Sequence, residues 1–196
     1  MICIIDYGAG NLRSIRRAIE ANGVSTEISG DPERISRADR LVLPGVGNAK
    51  AAMDQLRSTG LADALSEQAQ QGTPLLGVCL GMQLLFDAQE EGPTRGLGLL
   101  AGDVVKLTGD LKVPHMGWNT VSFTPHSQLA GLGEQTFYFV HSYHAHPDDE
   151  TDIAGVTNYG DAITSVVIRD NVWGMQFHPE KSHQAGIDLI GRWLQS

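Results

Sequence analysis

Short, continuously apolar runs alternate with helix-length amphipathic stretches along the first half of the sequence. The apolar runs cover residues 2–5, 41–43 and 75–78. Such runs are typical of strands that are buried on both faces, as the strands of parallel sheets are. Helical spacing of apolar residues follows the first run, and two polar-faced helical stretches separate the second run from the third. The alternation predicts repeated β-α-β units and a parallel sheet with helices on both faces.

Turn and helix signals give approximate bounds to the other elements of this half. Leu12, Ile15 and Ile19 lie at helical spacing, and Gly23 follows them as a stop signal. The remaining predicted elements are a strand over 24–28 and helices over 49–57, 61–71 and 82–88.

The second half of the sequence changes character, because close-spaced strand patterns replace the helices. Short strands that follow one another so closely are expected to form hairpins, so the whole sheet should be mixed. Ser182 is expected to cap a final helix. The predicted strands of this half cover residues 104–107, 119–123, 136–140, 153–157, 162–168 and 172–177.

Composition limits the classes of protein that the chain can belong to. Its 196 residues predict a single domain over residues 1–196. The net charge of −9 argues against nucleic acid or an anionic membrane surface as the main partner. Two cysteines cannot form a disulfide framework, and the first residues lack the basic region of a signal peptide. We therefore expect a cytoplasmic protein.

The strongest local signal is the pentapeptide Gly77-Val78-Cys79-Leu80-Gly81, in which a buried strand leads through a small-residue turn into a helix. This is the arrangement of a nucleophile elbow, with cysteine in place of serine. We expect Cys79 to be exposed at the helix start, where the helix dipole favours the thiolate. The pentapeptide alone leaves open the alternative that Cys79 is a buried, inert side chain.

Two further segments supply what a cysteine nucleophile needs. His178 follows an apolar strand, and Glu180 lies close enough in sequence to turn back and orient the imidazole of a general base. The segment Pro44-Gly45-Val46-Gly47 follows the strand before the elbow, and its glycines allow backbone N–H groups to face an oxyanion. Taken singly, each segment also fits a plainer interpretation, a surface histidine before a helix and an ordinary βα turn.

The chain resembles the class I (triad) glutamine amidotransferases in the segment 77–86 and in His178-Pro179-Glu180. More narrowly, it resembles the family of glutaminase subunits of imidazole glycerol phosphate synthase, and the resemblance runs from residue 2 to the last helix. The segments that carry the narrower resemblance are 6–11, 44–47, 114–119, 141–143 and 180–182. The resemblance implies an α/β, flavodoxin-like fold, with a central mixed, mostly parallel sheet flanked by helices and additional antiparallel strands in the second half.

The resemblance also implies roles for individual residues. Cys79 attacks glutamine, His178 transfers protons and Glu180 orients His178. The oxyanion is held at Val46, Gly47 and Leu80. The glutamine-binding residues are Gly47, Gln83, His141, Ser142 and Tyr143, and the partner interface includes Asn11, Trp118, Tyr138 and Lys181.

The implied activity is the hydrolysis of glutamine to glutamate and ammonia, without a cofactor. The implied partner is the cyclase, a (β/α)₈ barrel synthase subunit, in a heterodimer. That subunit would use the ammonia to form imidazole glycerol phosphate and the by-product aminoimidazole carboxamide ribotide in histidine biosynthesis.

The sequence is also compatible with several alternatives. The chain could be a non-catalytic α/β module with an inactive elbow, or a triad glutaminase that feeds another synthase, such as those of the anthranilate or pyridoxal phosphate pathways.

A metal site at His141, His144 and His146 is disfavoured, because alternation points the first of them to the opposite strand face. The turn at 6–11 lacks the glycine spacing of a dinucleotide loop. The basic run Arg13, Arg16 and Arg17 is interpreted as a solvated helix face.

Overall fold

The computed structural model describes residues 1–109, 111–125 and 127–196. Its α-helices are α1 (Leu12–Glu20), α2 (Pro32–Ile35), α3 (Ala49–Ser58), α4 (Leu61–Gln70), α5 (Leu80–Gln83) and α6 (His183–Leu194). The first seven strands are β1 (Ile2–Ile5), β2 (Thr26–Ser29), β3 (Arg40–Gly45), β4 (Leu75–Cys79), β5 (Phe86–Gln89), β6 (Thr94–Arg95) and β7 (Leu100–Lys106). The others are β8 (His115–Phe123), β9 (Glu134–His141), β10 (Tyr143–Pro147), β11 (Ile153–Tyr159), β12 (Asp161–Arg169) and β13 (Val172–Met175).

All of these strands join in one 13-stranded mixed sheet. The run β2-β1-β3-β4-β13 is parallel, and antiparallel pairing begins between β13 and β12; β5 and β7 form a further parallel pair. The pair β8 and β9 is attached through β11, which pairs with β12. The predicted combination of a parallel first half and added antiparallel strands is confirmed.

Helices cover both faces of the parallel part of the sheet. Along β1, Ile2 and Ile4 belong to one buried apolar cluster and Cys3 and Ile5 to the other, as the alternation of a strand requires. The first cluster contains the buried faces of α1 and α6, and the second contains those of α3 and α4. None of the helices in the described ranges is long and apolar enough to cross a membrane.

Two sequence predictions about elements are wrong in detail, and one strand was missed. The helix predicted over 82–88 ends at Gln83, because Phe86 is fully buried and pairs with Leu100 of β7. Strand pairing therefore overrides the helical pattern there. The strand β10 was not predicted. Ser182 does precede α6, but its hydroxyl donates a hydrogen bond to the carbonyl of His178 and does not cap the helix.

Candidate active site

Cys79 occupies a strained turn between β4 and α5. Its φ of 56° and ψ of −112° form a combination that side-chain-bearing residues rarely adopt. Glycines on either side allow the turn: a Cβ atom on Gly77 would lie 2.7 Å from the carbonyl oxygen of Gly81, and one on Gly81 would overlap the carbonyl of Leu43. The backbone therefore has the strand–turn–helix form of a nucleophile elbow.

The expectation that Cys79 is exposed at the helix start is wrong. The residue is buried, with 6% of its surface exposed, because the β9 side of the sheet covers the turn. Its Sγ lies 3.9 Å from the carbonyl oxygen of Val140, within reach of a weak hydrogen bond. Cys79 nevertheless lines a cavity of about 400 Å³, so a small substrate can contact it. Cys3 is fully buried in β1, and this burial raises its pKa to about 11.

His178 lines this cavity just beyond the end of β13, and Glu180 lines a smaller cavity that also includes His178. Since β13 runs parallel to β4 and pairs Met175 with Val78, the chain that continues from β13 passes the elbow. Nδ1 of His178 lies 2.8 Å from Oε1 of Glu180, and each side chain is only 4% exposed. The N–H of His178 donates to the carbonyl of Tyr138, which fixes the segment against β9.

The surroundings of His178 decide its charge. Burial disfavours the imidazolium, but the interactions with Cys79 and with the Glu180 carboxylate outweigh burial and raise the pKa of His178 to about 9. The carboxylate of Glu180 can only accept a hydrogen bond, so Nδ1 of His178 donates to it, and the other ring nitrogen, Nε2, points away from Glu180. Nε2 has no hydrogen-bond partner within the described ranges. His178 and Cys79 both line the cavity.

The three residues expected at the oxyanion also line the cavity. Gly45 at the end of β3 pairs with Cys79, so Val46 and Gly47 continue past the elbow. Gly47 has a φ of 97°, which only glycine adopts at low cost. Leu80 is the first residue of α5, so its N–H has no acceptor within the helix.

The structure brings the expected glutamine-binding residues to the same cavity, where Gln83, His141, Ser142 and Tyr143 join Gly47. Two of these side chains bind one backbone carbonyl. Nε2 of Gln83 donates to the carbonyl oxygen of Tyr143 at 2.8 Å, and Nδ1 of His141 lies 2.9 Å from the same oxygen. This wall of the cavity is therefore held by side-chain hydrogen bonds to its backbone.

His141 continues into a chain of buried polar groups. Its Nε2 lies 2.9 Å from Nδ1 of His115, and Nε2 of His115 lies 3.2 Å from Nδ2 of Asn119. The carbonyl of Tyr143 can only accept, so Nδ1 of His141 carries the proton there, His115 donates to His141, and Asn119 donates to His115. Burial lowers the pKa of His141 to about 3 and that of His115 to about 4, so both rings are neutral. We call His115 and His141 the histidine relay.

Sequence reasoning missed Glu91, which also lines the cavity. Its Oε2 accepts the N–H of Ala49 at the start of α3, at 2.8 Å. In the sequence, Glu91 lies in an acidic pair before Gly92-Pro93, a pattern typical of a solvated turn. His115 lies in the segment 114–119 that carries the narrower resemblance, but no sequence pattern gives it a role.

Three of the four residues expected at a partner interface lie together on the surface. The rings of Trp118 and Tyr138 meet edge to face with centroids 6.0 Å apart, and Nζ of Lys181 lies 5.7 Å from the centroid of Tyr138. Trp118 is 49% exposed, which is unusual for a residue of its size. Asn11 lies at the start of α1, where its side chain accepts the N–H of Ser14, and it shares a small cavity with Glu180.

Within the described part of the chain, no group of three or more His, Cys, Asp or Glu side chains is arranged to hold a metal ion. The rings of His144 and His146 contact each other at 4.5 Å, whereas His141 faces His115.

Comparison with known sequences identifies the class of protein. The sequence model described as glutamine amidotransferase class-I matches residues 3–191. The chain is 50% identical to "Imidazole glycerol phosphate synthase subunit HisH" of Geobacillus thermodenitrificans, over 99% of this chain and 95% of that protein. It is 49% identical to the protein of the same name from Sulfurimonas denitrificans, over 97% and 95%.

Solved structures agree on the fold. A crystal structure described as a glutamine amidotransferase superposes with a TM-score of 0.76 at 20% identity and covers 97% of this chain and 100% of its own. The structure of PurLQS from Thermotoga maritima gives a TM-score of 0.73 at 20% identity, over 99% and 95%. The chain belongs to the class-I glutamine amidotransferases and, within them, to the family of HisH subunits of imidazole glycerol phosphate synthase.

Proposed function

We propose that this chain hydrolyses L-glutamine to glutamate and ammonia with a triad of Cys79, His178 and Glu180. The observation that carries the proposal is the His178–Glu180 pair beside the strained Cys79 turn: Cys79 and His178 line one cavity, and Glu180 is hydrogen-bonded to Nδ1 of His178. A nucleophile, a base and a group that orients the base are the parts that acyl transfer through a thiol needs.

In the proposed reaction, the thiolate of Cys79 attacks the side-chain amide carbon of glutamine. The tetrahedral intermediate collapses with breakage of the C–N bond, His178 gives a proton to the leaving nitrogen, and ammonia departs from a γ-glutamyl thioester. His178 then removes a proton from water, which attacks the thioester and releases glutamate and the thiolate. The raised pKa of His178, about 9, favours the charged ring that holds the proton before ammonia leaves.

The oxyanion is proposed to bind the backbone N–H of Leu80 and that of Val46 or Gly47. The N–H of Leu80 is unpaired within its helix, as the first residue of α5 must be. The second donor depends on the orientation of the peptide between Val46 and Gly47, which glycine allows to rotate at low cost. Loss of one such donor typically lowers the rate by ~10²–10³-fold, so this peptide could control turnover.

The rest of the cavity is proposed to bind the amino-acid end of glutamine, with Gly47, Gln83, His141, Ser142 and Tyr143 as its lining. Glu91 adds a carboxylate to this cavity, and a carboxylate favours the α-ammonium of an amino acid. No residue of this mechanism requires a cofactor.

The proposed partner is a cyclase, a (β/α)₈ barrel synthase subunit that receives the ammonia in a heterodimer. It would form imidazole glycerol phosphate and aminoimidazole carboxamide ribotide. The exposed group of Trp118, Tyr138 and Lys181, together with Asn11, is the proposed docking surface. The names of the relatives support a synthase assembly.

We propose that residues 1–196 form one glutamine amidotransferase domain and act in the cytoplasm. The single sheet through all 13 strands supports one domain.

The test of the triad is the variant Cys79→Ala in the complex with the synthase subunit. Glutamine-dependent synthesis should disappear, whereas synthesis supplied with ammonium salt should continue, because only the glutaminase step needs the thiol. A glutamine-like electrophile should label Cys79 and leave the fully buried Cys3 unmodified. Retained glutaminase activity in Cys79→Ala would refute the triad.

A second test addresses control by the partner. If the second oxyanion donor is formed only on docking, the isolated chain should be a poor glutaminase. Addition of the barrel subunit with its nucleotide ligand should raise the rate of glutamine hydrolysis by at least ~10²-fold. Full activity of the isolated chain, unchanged by partner and ligand, would exclude this control and leave the triad intact.

A further inference from the structure

The side chain of Gln83 has a fixed polarity in the cavity wall. Its amide nitrogen lies 2.8 Å from the carbonyl oxygen of Tyr143 and 3.0 Å from Oε1 of Gln176. A backbone carbonyl can only accept hydrogen bonds, so the nitrogen of the Gln83 amide must face Tyr143. Both N–H groups of this amide are then used. The described residues provide no donor to Oε1 of Gln83, whose side chain lines the cavity.

Gln176 is the second of the two groups that fix this polarity. It follows β13, two residues before His178, and it is fully buried. Its N–H donates to the carbonyl of Ser165, which holds the backbone, and its Oε1 accepts from Gln83. Without the oxygen of Gln176, one N–H of Gln83 would be buried without an acceptor, and the orientation of the Gln83 amide would depend on the carbonyl of Tyr143 alone.

We infer that Gln176 is a positioning residue that turns the oxygen of the Gln83 amide towards the cavity, where it accepts a hydrogen bond from the α-ammonium group of glutamine. This inference rests on the proposed glutaminase function and deepens it. Gln176 acts through Gln83 and does not itself contact the substrate. The consequence is a preference for substrates that carry an α-amino group over those that lack it.

Distances in the site favour the α-ammonium as the donor. Gln83 lies one helical turn after Cys79, a rise of about 5.4 Å along a helix. In extended glutamine, four covalent bonds separate the amide carbon from the α-nitrogen, a span of about 5 Å. When the amide carbon lies against the thiol of Cys79, the α-ammonium can therefore reach Gln83. The carboxylate of Glu91, which lines the same cavity, favours a cation in this region.

The experiment compares L-glutamine with glutaramate, which is glutamine without its α-amino group. The full chain is assayed with its synthase subunit, and kcat/KM is measured for both substrates. Gln176→Met replaces the acceptor with an apolar side chain of similar length. It should lower kcat/KM for glutamine by about 10–100-fold, mainly through KM, because a hydrogen bond to a charged group is lost. The value for glutaramate should stay within about threefold of that of the unmodified chain.

Three further variants control for packing and folding. Gln89→Met also removes a buried amide, which donates to the backbone carbonyl of Gln83 at 2.6 Å. This change leaves the side chain of Gln83 in place. The ratio of kcat/KM for glutamine to kcat/KM for glutaramate should therefore equal that of the unmodified chain. Gln176→Glu retains an oxygen acceptor and should restore the ratio to that of the unmodified chain. Gln83→Met removes the proposed acceptor itself and should abolish the preference even if Gln176→Met does not fold.

The outcomes separate this inference from the function on which it rests. If the unmodified chain hydrolyses glutamine but Gln176→Met or Gln83→Met keeps its preference over glutaramate, the positioning role is refuted. An equal loss of the ratio in Gln89→Met would assign the effect to general packing and also refute it. Absence of hydrolysis in the unmodified complex would instead refute the proposed function.

Discussion

Two imidazoles line the same cavity, and at neutral pH one of them is positively charged and the other is neutral. His178 and His141 are both buried, with 3% and 6% of their surfaces exposed, and burial disfavours the charged ring in both. Yet the pKa of His178 is raised to about 9, whereas that of His141 is lowered to about 3. The difference lies in the partners, since His178 faces Glu180 and Cys79, and His141 faces a carbonyl and a neutral ring. Burial alone therefore does not determine the role of a histidine in this site.

The contrast assigns different chemistry to the two sides of the cavity. His178 can hold and transfer a proton, because a carboxylate stabilises the charged ring. His141 keeps a fixed tautomer and serves as a directional link between Tyr143 and His115. The largest mutational effects are thus expected at the His178 side, and smaller ones at the histidine relay.

The replacement His178→Ala should give the largest difference between the two sides. Proton transfer by a positioned side chain contributes ~10²–10⁴-fold, so kcat for glutamine hydrolysis should fall by about that factor. His141→Ala should act mainly on KM, because it disturbs the cavity wall and leaves the proton path in place. Steady-state kinetics of both variants in the synthase complex measure the two effects, and equal losses of kcat would contradict the division of roles.

Glu180→Gln should cost less than His178→Ala, since Glu180 orients the ring and stabilises its charge without accepting the substrate's proton. Loss of the carboxylate removes one of the interactions that raise the pKa of His178, so this pKa should fall. NMR titration of the ring in the full chain measures the shift directly. A larger rate loss at Glu180 than at His178, or an unchanged pKa, would require a different assignment.

His115→Phe tests the relay by removing a hydrogen bond and keeping an aromatic ring. The ring of His115 stacks between Tyr159 and Phe139, with centroids 3.9 and 4.7 Å away, so phenylalanine fits the same layer. Nε2 of His141 would then lose its donor, at a cost of about 1–3 kcal/mol in the free energy of unfolding. Urea denaturation measures this loss. Unchanged stability would mean that the relay contributes little to the fold.

The two sides also predict opposite dependences of stability on pH. For His178, the folded pKa of about 9 exceeds the unfolded value of 6.5, so its contribution is complete below pH 6.5 and is lost as pH rises through about 9. For the relay, the folded pKa values of about 3 and 4 lie below 6.5. The unfolded chain then binds more protons, so stability is lost as pH falls from 6.5 towards 3.

Chemical denaturation as a function of pH checks both signs. Between pH 6.5 and 4, His115→Phe should lose less stability than the unmodified chain, because it lacks one group that titrates only on unfolding. Between pH 6.5 and 9, Glu180→Gln should lose less stability than the unmodified chain, because the carboxylate that helps to raise the pKa of His178 is absent. If the fall in the free energy of unfolding between pH 6.5 and 4 is the same in His115→Phe as in the unmodified chain, the lowered pKa of the relay is contradicted.

Local sequence patterns predicted most of the parallel part of the fold, although not the helix α2 or the parallel pairing of β13 with β4. Wholly apolar runs for β1, β3 and β4 and helical spacing for α1 predicted β-α-β units, because burial on both faces leaves no polar alternation in a strand. The same patterns failed at residues 86–89, where a helical run became β5. There, pairing of Phe86 with Leu100, distant in sequence, outweighed the local preference.

The amino-acid sequence establishes which chemical groups are present: a cysteine in a glycine-flanked turn, a histidine with a glutamate two residues on, and glycines after β3. How these groups are used depends on contacts that form only in the folded chain. The register of β13 on β4 carries His178 past Cys79, and the cover from β9 buries the thiol that sequence analysis expected to be exposed. Glu91 joins the cavity, and the relay and the Gln83–Gln176 pair form, through contacts between residues far apart in sequence. Periodicity and spacing report on neighbours along the chain, whereas charge state and polarity depend on neighbours in space.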